Sequence, residues 1–221
     1  MVDIHTHILY GVDDGSDSKE TSKFLLDQAK DNNIDKILLT PHQNQESNNT
    51  EELKTKFEAF KEEFKDYNIE FYLGSEIYYY DKMLDDLDNG KLLTLNNTKY
   101  VLLEFSTLIE TDIKGIVYDT FMRGYNPIIA HIERYTYLKL EDYYEIKGQG
   151  ALIQVNTHSF ENKVYKKQLK YLLKNNLIDF ISSDCHNKHR DLNFTEVKAL
   201  ISKKYPEQYD RLFNEIPDFL K

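Results

Sequence analysis

The chain has 221 residues, of which 38 are acidic and 28 are basic, and its net charge of −10 at pH 7 makes nucleic acids and anionic membranes poor partners. No apolar run approaches the ~18 residues that a transmembrane helix needs, which argues against membrane insertion. The chain begins MVDIHTH, without the basic and apolar segments of a secretory signal, and its single cysteine is Cys185, so we expect a cytoplasmic protein.

Short runs of β-type residues alternate with amphipathic patterns along the whole chain. The runs predict strands at 2–5, 36–40, 69–77, 100–105, 127–131, 151–156 and 178–183. Asp17 and Glu20 form a capping box that predicts a helix to about residue 31, and Thr50 is predicted to cap the next helix. Further helices are expected around 113–121, ended by Gly124, at about 138–147 and 163–175, and twice near the C-terminus.

This alternation of strands and helices predicts the fold class. The predicted strands are almost continuously apolar, which is typical of a parallel sheet in an α/β protein. No linker, repeat or change in composition divides the chain, so we predict a single domain over residues 1–221. Seven uninterrupted units favour a closed or nearly closed barrel similar to a TIM barrel, and an open doubly wound sheet is the alternative.

Six of the seven predicted strands end in a histidine or a carboxylate. These residues are His5, His7, His42, Glu76, Glu104, His131, Asp184 and His186. Barrels of parallel strands build their active sites at this end of the strands. Because residues i and i+2 of a strand point to the same side, His5 pairs with His7 and Asp184 with His186.

The residue types at the strand ends predict a metal centre. Imidazoles and carboxylates without a thiolate suit Zn²⁺, Mn²⁺ or Fe²⁺. Five histidines and at least three carboxylates exceed what one ion coordinates, so we predict two or three ions.

The motifs that carry these residues resemble those of a known family. They are DIHTHILYGVDDG at 3–15, TPH at 40–42, GSEIYY at 74–79, LLEFS at 102–106, AHIERY at 130–135, QVN at 154–156 and SSDCHN at 182–187. In this order, they are similar to the CpsB/YwqE-type protein-tyrosine phosphatases of the polymerase-and-histidinol-phosphatase (PHP) superfamily. Those enzymes are encoded with capsule and exopolysaccharide genes.

The resemblance implies a distorted seven-stranded barrel with a trinuclear centre. The expected ions are three Mn²⁺, with Fe²⁺, Mg²⁺ or Zn²⁺ as alternatives. The implied substrate is the tyrosine-phosphorylated C-terminal tail of a cognate bacterial tyrosine kinase that controls polysaccharide export. We expect in-line attack on phosphorus by a hydroxide that bridges two ions.

The resemblance also implies a ligand set when it is carried over position by position. The first ion would take His5, His7, Glu76 and Asp184. The second would share Glu76 and add Glu104 and His131. The third would take His42, His186 and Asp14. Asp14 lies in the loop after strand one. Its alternative role is to protonate the leaving phenolate oxygen.

Two of the four arginines follow proposed ligands closely. Arg134 comes three residues after His131, and Arg190 comes four residues after His186. A phosphoryl group favours planar, bidentate donors, which lysine does not offer. We therefore predict that Arg134 and Arg190 bind the phosphate, and surface salt bridges are the alternative for both.

Other interpretations of the same residues are open. A cysteine phosphatase needs arginine six residues after its nucleophile, but residue 191 is aspartate, so Cys185 is predicted to be structural. A histidinol-phosphate phosphatase would share the metals but need a small enclosed pocket. A catalytically silent kinase-binding module is a third alternative, against which the presence of every expected ligand argues. His158 either orients a ligand or makes an ordinary hydrogen bond. Residues 43–46, Gln-Asn-Gln-Glu, lack the basic groups that the family tends to place there, which bears on the substrate.

Overall fold

The computed structural model describes residues 1–47, 49–189 and 192–221. Within these residues the strands are β1 (Val2–Thr6), β2 (Lys36–Leu39), β3 (His42–Gln43), β4 (Glu70–Leu73), β5 (Glu76–Tyr78), β6 (Tyr100–Glu104), β7 (Asn126–Ile129), β8 (Leu152–Asn156) and β9 (Phe180–Ser182). The α-helices are α1 (Lys19–Asp31), α2 (Thr50–Glu63), α3 (Met83–Asp88), α4 (Ile113–Met122), α5 (Asp142–Gly148), α6 (Lys166–Lys174), α7 (Phe194–Lys204) and α8 (Tyr209–Phe213). The predicted α/β class is confirmed.

All strand pairs in the described residues are parallel and form two sheets. The order is β1-β2-β4 in one and β3-β5-β6-β7-β8-β9 in the other. The chain passes from the first sheet to the second twice, between β2 and β3 and between β4 and β5. The prediction of one strand over 69–77 is therefore wrong, because Gly74 and Ser75 interrupt it. A Cβ atom at Gly74 would lie 2.7 Å from Leu95 Cδ2 and 3.1 Å from Leu95 Cα, so a side chain at this interruption would force Leu95 to shift.

The first strand hydrogen-bonds to the chain that follows the last strand. The N–H of Asp184 donates to the carbonyl of His5 (3.0 Å), and the N–H of His7 donates to the carbonyl of Cys185 (2.9 Å). Thr6 and Cys185 form a parallel bridge. These contacts bring the two ends of the strand succession together.

An irregularity in β1 turns its histidines toward the interior. Asp3 pairs with Ile37 but Thr6 pairs with Leu39, so β1 carries one extra residue over this stretch. A bulge of this kind re-aims the side chains that follow it. Ile4 therefore packs in the inner apolar cluster, while His5 and His7 face the carboxyl ends of the strands.

The helix caps differ from the predicted ones by one residue. Ser18 caps α1 by accepting the N–H of Thr21 (3.3 Å), whereas Asp17 accepts the Thr21 hydroxyl, so the predicted capping box is wrong. Asn49 caps α2, and Thr50 is its first helical residue. Gly124 follows α4 with φ +92°, which confirms its role at that helix end. The short helix α3 was not predicted.

The core has two parts. The larger cluster lies between the strands and the surrounding helices. The smaller one lies inside the strands and contains Ile4, Leu38, Leu95, Leu102, Ile128, Ala130, Phe219 and Leu220. Phe219 and Leu220, near the C-terminus, cover the base of this inner cluster, opposite the ends that carry His5 and Glu76. In the described part of the chain, none of the helices is both long and apolar enough to cross a bilayer.

Candidate metal centre

The carboxyl ends of the strands surround a cavity of about 300 Å³. Its walls include seven of the residues that the sequence analysis proposed as ligands, together with Arg134. The seven are Asp14, His42, Glu76, Glu104, His131, Asp184 and His186. His5 and His7 lie buried behind this wall and contact Glu76 and Asp184. All nine proposed ligands therefore lie together.

The first group of ligand-type atoms is fully buried. Nε2 of His5 and Nε2 of His7 each lie 3.1 Å from Oε2 of Glu76 and 3.5 Å from Oδ1 of Asp184. These four residues form one of the clusters whose ligand atoms are mutually within reach of a single ion.

Glu76 connects this group to a second one. Its Oε1 lies 2.8 Å from Nε2 of His131, and its Oε2 lies 3.2 Å from Nδ1 of His42. The carboxylate of Glu104 approaches the same two imidazoles at 3.6 Å. The carboxylate of Glu76 thus contacts imidazoles of both groups, because its Oε2 also faces His5 and His7.

The third group lies at the mouth. Oδ1 of Asp14 lies 3.5 Å from Nε2 of His42 and 3.7 Å from Nε2 of His186, and the Asp14 side chain is 73% exposed. His7 also belongs to this group, because its ring stacks on that of His186 at a centroid distance of 4.0 Å. His7 was predicted to belong to the first group alone.

Two of the proposed ligands hold a left-handed backbone conformation. His131 has φ 31° and Asp184 has φ 51°. For residues other than glycine this conformation costs roughly 1–3 kcal/mol. Each lies two residues beyond the last residue of a strand, Ile129 or Ser182, and its side chain lines the cavity.

The electrostatics of the cavity favour bound cations. Burial disfavours a charged His5, but Glu76 and Asp184 outweigh it and raise the pKa of His5 to about 9. Burial and the charge of Glu76 raise the pKa of Glu104 to about 8. Burial opposes ionisation of Asp184, yet the neighbouring His5 lowers its pKa to about 2. The carboxylates therefore create a strongly negative potential at the buried imidazoles.

The hydrogen bonds around His5 and His7 test whether the residues fit a metal ion. Nδ1 of His5 faces Oε1 of Gln154 (3.2 Å), and Nδ1 of His7 faces Oδ2 of Asp13 (2.8 Å). Since both oxygens accept, both Nδ1 atoms donate, so in the neutral rings that bind a metal the lone pairs lie on the two Nε2 atoms, which are 3.2 Å apart. Ligands about 2.1 Å from one ion lie about 3.0–3.4 Å apart. The residues present fit a divalent ion.

A second observation agrees with this fit. Oε2 of Glu76 is buried and accepts no hydrogen bond in the part of the chain that the structure describes. Three imidazole nitrogens nevertheless lie within 3.2 Å of it. A buried carboxylate oxygen that accepts no hydrogen bond is costly, and a cation would compensate it.

Arg134 is the one predicted phosphate-binding residue whose position is described. It lies in the short 3-10 helix Ile132–Arg134, and its side chain is 29% exposed at the cavity. Its Nη1 lies 3.4 Å from Oδ2 of Asp184. Arg190 lies outside the described residues.

Cys185 and His158 lie apart from the cavity. The thiol of Cys185 is buried in the larger apolar cluster, and burial raises its pKa, so it is a poor nucleophile. His158 lines a different surface cavity, with His189 and Asn193. Of its two predicted roles, orienting a ligand at the metal cavity does not fit this position.

Three residues that contact the proposed ligands were missed by sequence reasoning. Asp13 contacts His7, Gln154 contacts His5, and Asn156 donates to Asp184 (2.7 Å). The signal for Gln154 and Asn156 was their alternation on β8, which places both on one face. No feature of the sequence distinguished Asp13 from Asp14, because the conformation of the loop decides which of the two carboxylates contacts His7.

Comparison with known proteins gives the family. The family model for capsular polysaccharide synthesis, CpsB/CapC, matches residues 1–219. The tyrosine-protein phosphatase CpsB of Streptococcus agalactiae is 34% identical over 202 residues, covering 85% of this chain and 83% of that protein. The tyrosine-protein phosphatase YwqE of Bacillus subtilis is 30% identical over 232 residues, covering 100% of this chain and 91% of YwqE.

Solved structures agree with these relatives. One, from work on YwqE of Bacillus subtilis and CpsB of Streptococcus pneumoniae, described as unique metal-dependent tyrosine phosphatases, matches with a TM-score of 0.86 at 29% identity, covering 98% of this chain and 96% of that chain. Histidinol phosphate phosphatase of Lactococcus lactis matches with a TM-score of 0.61 at 17% identity, covering 92% and 94%, and shares the fold. The family predicted from the motifs is confirmed: this chain belongs to the CpsB/CapC family.

Proposed function

We propose that the protein is a metal-dependent phosphotyrosine-protein phosphatase. The observation that carries the proposal is the cavity in which three overlapping groups of imidazoles and carboxylates meet one arginine. Membership of the CpsB/CapC family, whose relatives named above are tyrosine-protein phosphatases, supports the same activity.

We infer three divalent ions, with Mn²⁺ the expected metal. His5, His7, Glu76 and Asp184 would hold the first. Glu76, Glu104 and His131 would hold the second, with His42 within reach. His7, His42, His186 and Asp14 would surround the third. When bound, such ions lower the pKa of a coordinated water and neutralise phosphoryl charge, so that in-line hydrolysis needs no covalent intermediate.

Arg134 is proposed to orient the phosphoryl group. Its guanidinium is held beside Asp184 and opens onto the cavity, which leaves donors for the phosphate oxygens. A planar fork of this kind matches two oxygens of a phosphate and stabilises the charge that develops on them. Arg190 is proposed to act on the same phosphate.

Asp14 is the candidate proton donor for the leaving group. Its carboxyl is the most exposed of the acidic groups that line the cavity and therefore lies where a leaving tyrosine would depart. It stands between His42 and His186, so completion of the third metal site is its alternative role. The open position of Asp14 suits a substrate that stays attached to a polypeptide.

The same proposal extends to the domain, the fold, the substrate and the location of the protein. We infer that residues 1–221 form one domain in which the two sheets close into a distorted seven-stranded barrel. Counting β2 with β3 and β4 with β5 as interrupted strands gives seven, and the hydrogen bonds between β1 and residues 184–185 support closure. The substrate is proposed to be the tyrosine-phosphorylated C-terminal tail of a cognate kinase of capsule synthesis, in the cytoplasm.

The proposal is tested with one metal-loaded preparation and three substrates. We expect kcat/KM for a phosphotyrosine peptide to exceed that for histidinol phosphate and for a phosphoserine peptide. A preference for histidinol phosphate would assign the protein to the small-molecule phosphatases that share its fold. Absence of turnover on all three, with metal bound, would indicate a silent binding module. Asp184→Ala serves as the inactive control.

A further inference from the structure

Strand β8 brings two buried amides, not ligands, to the metal cavity. Gln154 is 0% exposed and Asn156 is 3% exposed. Both lie on the face of β8 that points inward, because residues two apart in a strand share a face. A buried amide is costly unless its donors and acceptors are paired, so the partners of these side chains constrain the arrangement.

The two amides join proposed ligands from opposite ends of the chain. Oε1 of Gln154 lies 3.2 Å from Nδ1 of His5 and accepts the backbone N–H of His131 at 2.6 Å. Nε2 of Gln154 donates to Oδ1 of Asn156 at 2.8 Å. Nδ2 of Asn156 then donates to Oδ2 of Asp184 at 2.7 Å.

The direction of every hydrogen bond in this series is fixed. A backbone N–H can only donate, so the one on His131 determines which terminal atom of Gln154 is the oxygen. That oxygen requires a proton on Nδ1 of His5. The amide nitrogen of Gln154 in turn requires the oxygen of Asn156, which leaves the Asn156 nitrogen to donate to Asp184.

We propose that Gln154 and Asn156 form an amide relay that positions His5 and Asp184 for one metal ion. The relay holds His5 as the Nδ1–H tautomer, with the lone pair of Nε2 directed at the ion. It also occupies Oδ2 of Asp184 and so presents Oδ1 to the same ion. The inference rests on the metal dependence proposed above. It gives β8 a role at the metal site although none of its residues is a proposed metal ligand.

The far end of the relay is held by a buried carboxylate. The N–H of Asn156 donates to Oε1 of Glu133 at 3.0 Å, and Glu133 is fully buried. Glu133 also accepts the hydroxyl of Ser159, in the 3-10 helix that follows β8. The backbone at Asn156 is therefore held in place by Glu133, as a positioning element requires.

The relay acts on one group of ligands and leaves another untouched. Among the described residues, the side chains of Gln154 and Asn156 bond to each other, to His5, to the backbone of His131 and to Asp184, and not to Asp14 or His186 at the mouth. Loss of a partner behind a metal ligand typically lowers metal affinity 10–100-fold. We expect a loss of that size for the ion at His5 and Asp184 and none for the ion at the mouth.

The test compares Gln154→Met and Asn156→Leu, which keep the side-chain size and remove the amides, with Gln208→Met. Gln208 is a matched control: its buried amide donates to the carbonyl of Leu173, far from the cavity. The full chain of each variant is titrated with Mn²⁺ against a competing chelator, and its melting temperature is recorded. We expect ~10–100-fold weaker binding of one ion in the two relay variants only. Unchanged Mn²⁺ affinity in both would overturn the relay.

A second measurement uses the unaltered chain, so it does not depend on a variant that folds. In protein labelled with ¹⁵N-histidine and loaded with Zn²⁺, we expect the proton of His5 on Nδ1. A proton on Nε2 would overturn the relay. If the unaltered chain hydrolyses phosphotyrosine and binds metal while the variants bind equally well, only the relay fails. If it binds no divalent ion, the relay and the proposed function both fail.

Discussion

His7 and Asp13 form a buried imidazole–carboxylate pair, with Nδ1 of His7 2.8 Å from Oδ2 of Asp13. The same carboxylate accepts the backbone N–H groups of His42 (3.0 Å) and Gly15 (3.0 Å). Burial opposes ionisation of Asp13, but the hydrogen bond from His7 lowers its pKa. Asp13 therefore fixes the ring of the histidine that belongs to both the first and the third ligand groups.

This pair predicts a variant that affects two ions. Asp13→Asn keeps the shape of the side chain but removes the charge behind His7, so we expect ~10-fold or greater loss of Mn²⁺ affinity for both ions that His7 would hold. Asp17→Asn, in the same loop but bonded to Thr21, is the control and should bind normally. Competition with a chelator measures the Mn²⁺ affinities of both variants. Weaker binding of only one Mn²⁺ ion in Asp13→Asn would contradict a shared role for His7.

Removal of the metal should abolish turnover and lower stability together. Ligands bound only to the native state stabilise it by RT ln(1+[L]/Kd), which is about 2.7 kcal/mol at 100 Kd. We expect chelation to stop phosphotyrosine hydrolysis and lower the melting temperature, and Mn²⁺ to restore both. Protein carried through the same dialysis without chelator is the control. Full activity after metal loss verified by elemental analysis is incompatible with the proposed function.

Arg134→Lys separates charge from geometry. Lysine keeps the positive charge but loses the bidentate fork, so we predict a fall in kcat/KM of ~10²-fold, about 3 kcal/mol of transition-state stabilisation, with metal content unchanged. Arg123→Lys, which changes an arginine paired with Asp85 on the surface, should leave kcat/KM unaltered. Equal kinetics for the two variants would exclude phosphate binding by Arg134.

The cysteine variant distinguishes metal chemistry from thiol chemistry. Because the Cys185 thiol is buried in the apolar cluster, Cys185→Ser should keep most of its activity while losing some stability. His131→Ala or Asp184→Ala should lose nearly all activity. Steady-state assays of folded, metal-loaded protein make the comparison. An inactive Cys185→Ser that is folded and metal-loaded would mean that the proposed mechanism is wrong.

Asp3 gives the stability a definite pH dependence. Burial raises its pKa from 3.8 to about 6, although hydrogen bonds from Ser183 and His5 act in the opposite direction. The folded state therefore binds this proton more tightly than the unfolded state. The stabilisation is fully present below pH 4 and is lost as the pH rises through 6.

Asp3→Asn isolates that contribution. We expect the free energy of unfolding of the unaltered chain, relative to Asp3→Asn, to fall by roughly 3 kcal/mol at most between pH 4 and pH 7. Urea denaturation of both proteins in chelator, at several pH values, measures the difference. A difference that is independent of pH would show that Asp3 does not titrate in this range.

The sequence predicted the strands and the residues at their ends because both depend on local patterns. Apolar runs mark buried strands. An error of one or two residues in a strand boundary does not change which His or carboxylate residues follow that strand. The helix caps at Ser18 and Asn49 were missed by one residue, since several polar side chains there can each accept the same N–H. Gln154 contacts His5, which is distant in the chain, and the contact of Asp13 with His7 depends on the conformation of a loop, so no local pattern specifies either.

The hydrogen bonds between β1 and the residues after β9 have a consequence for the order of events during translation. His5 and His7 are made first, but Asp184 is made about 180 residues later, which is roughly 10–40 s at typical rates of synthesis. Phe219 and Leu220, which cover the base of the inner cluster, follow later still. His5 and His7 therefore lack these contacts until most of the chain has been made. We expect any metal ion that His5 and Asp184 hold together to bind late in maturation.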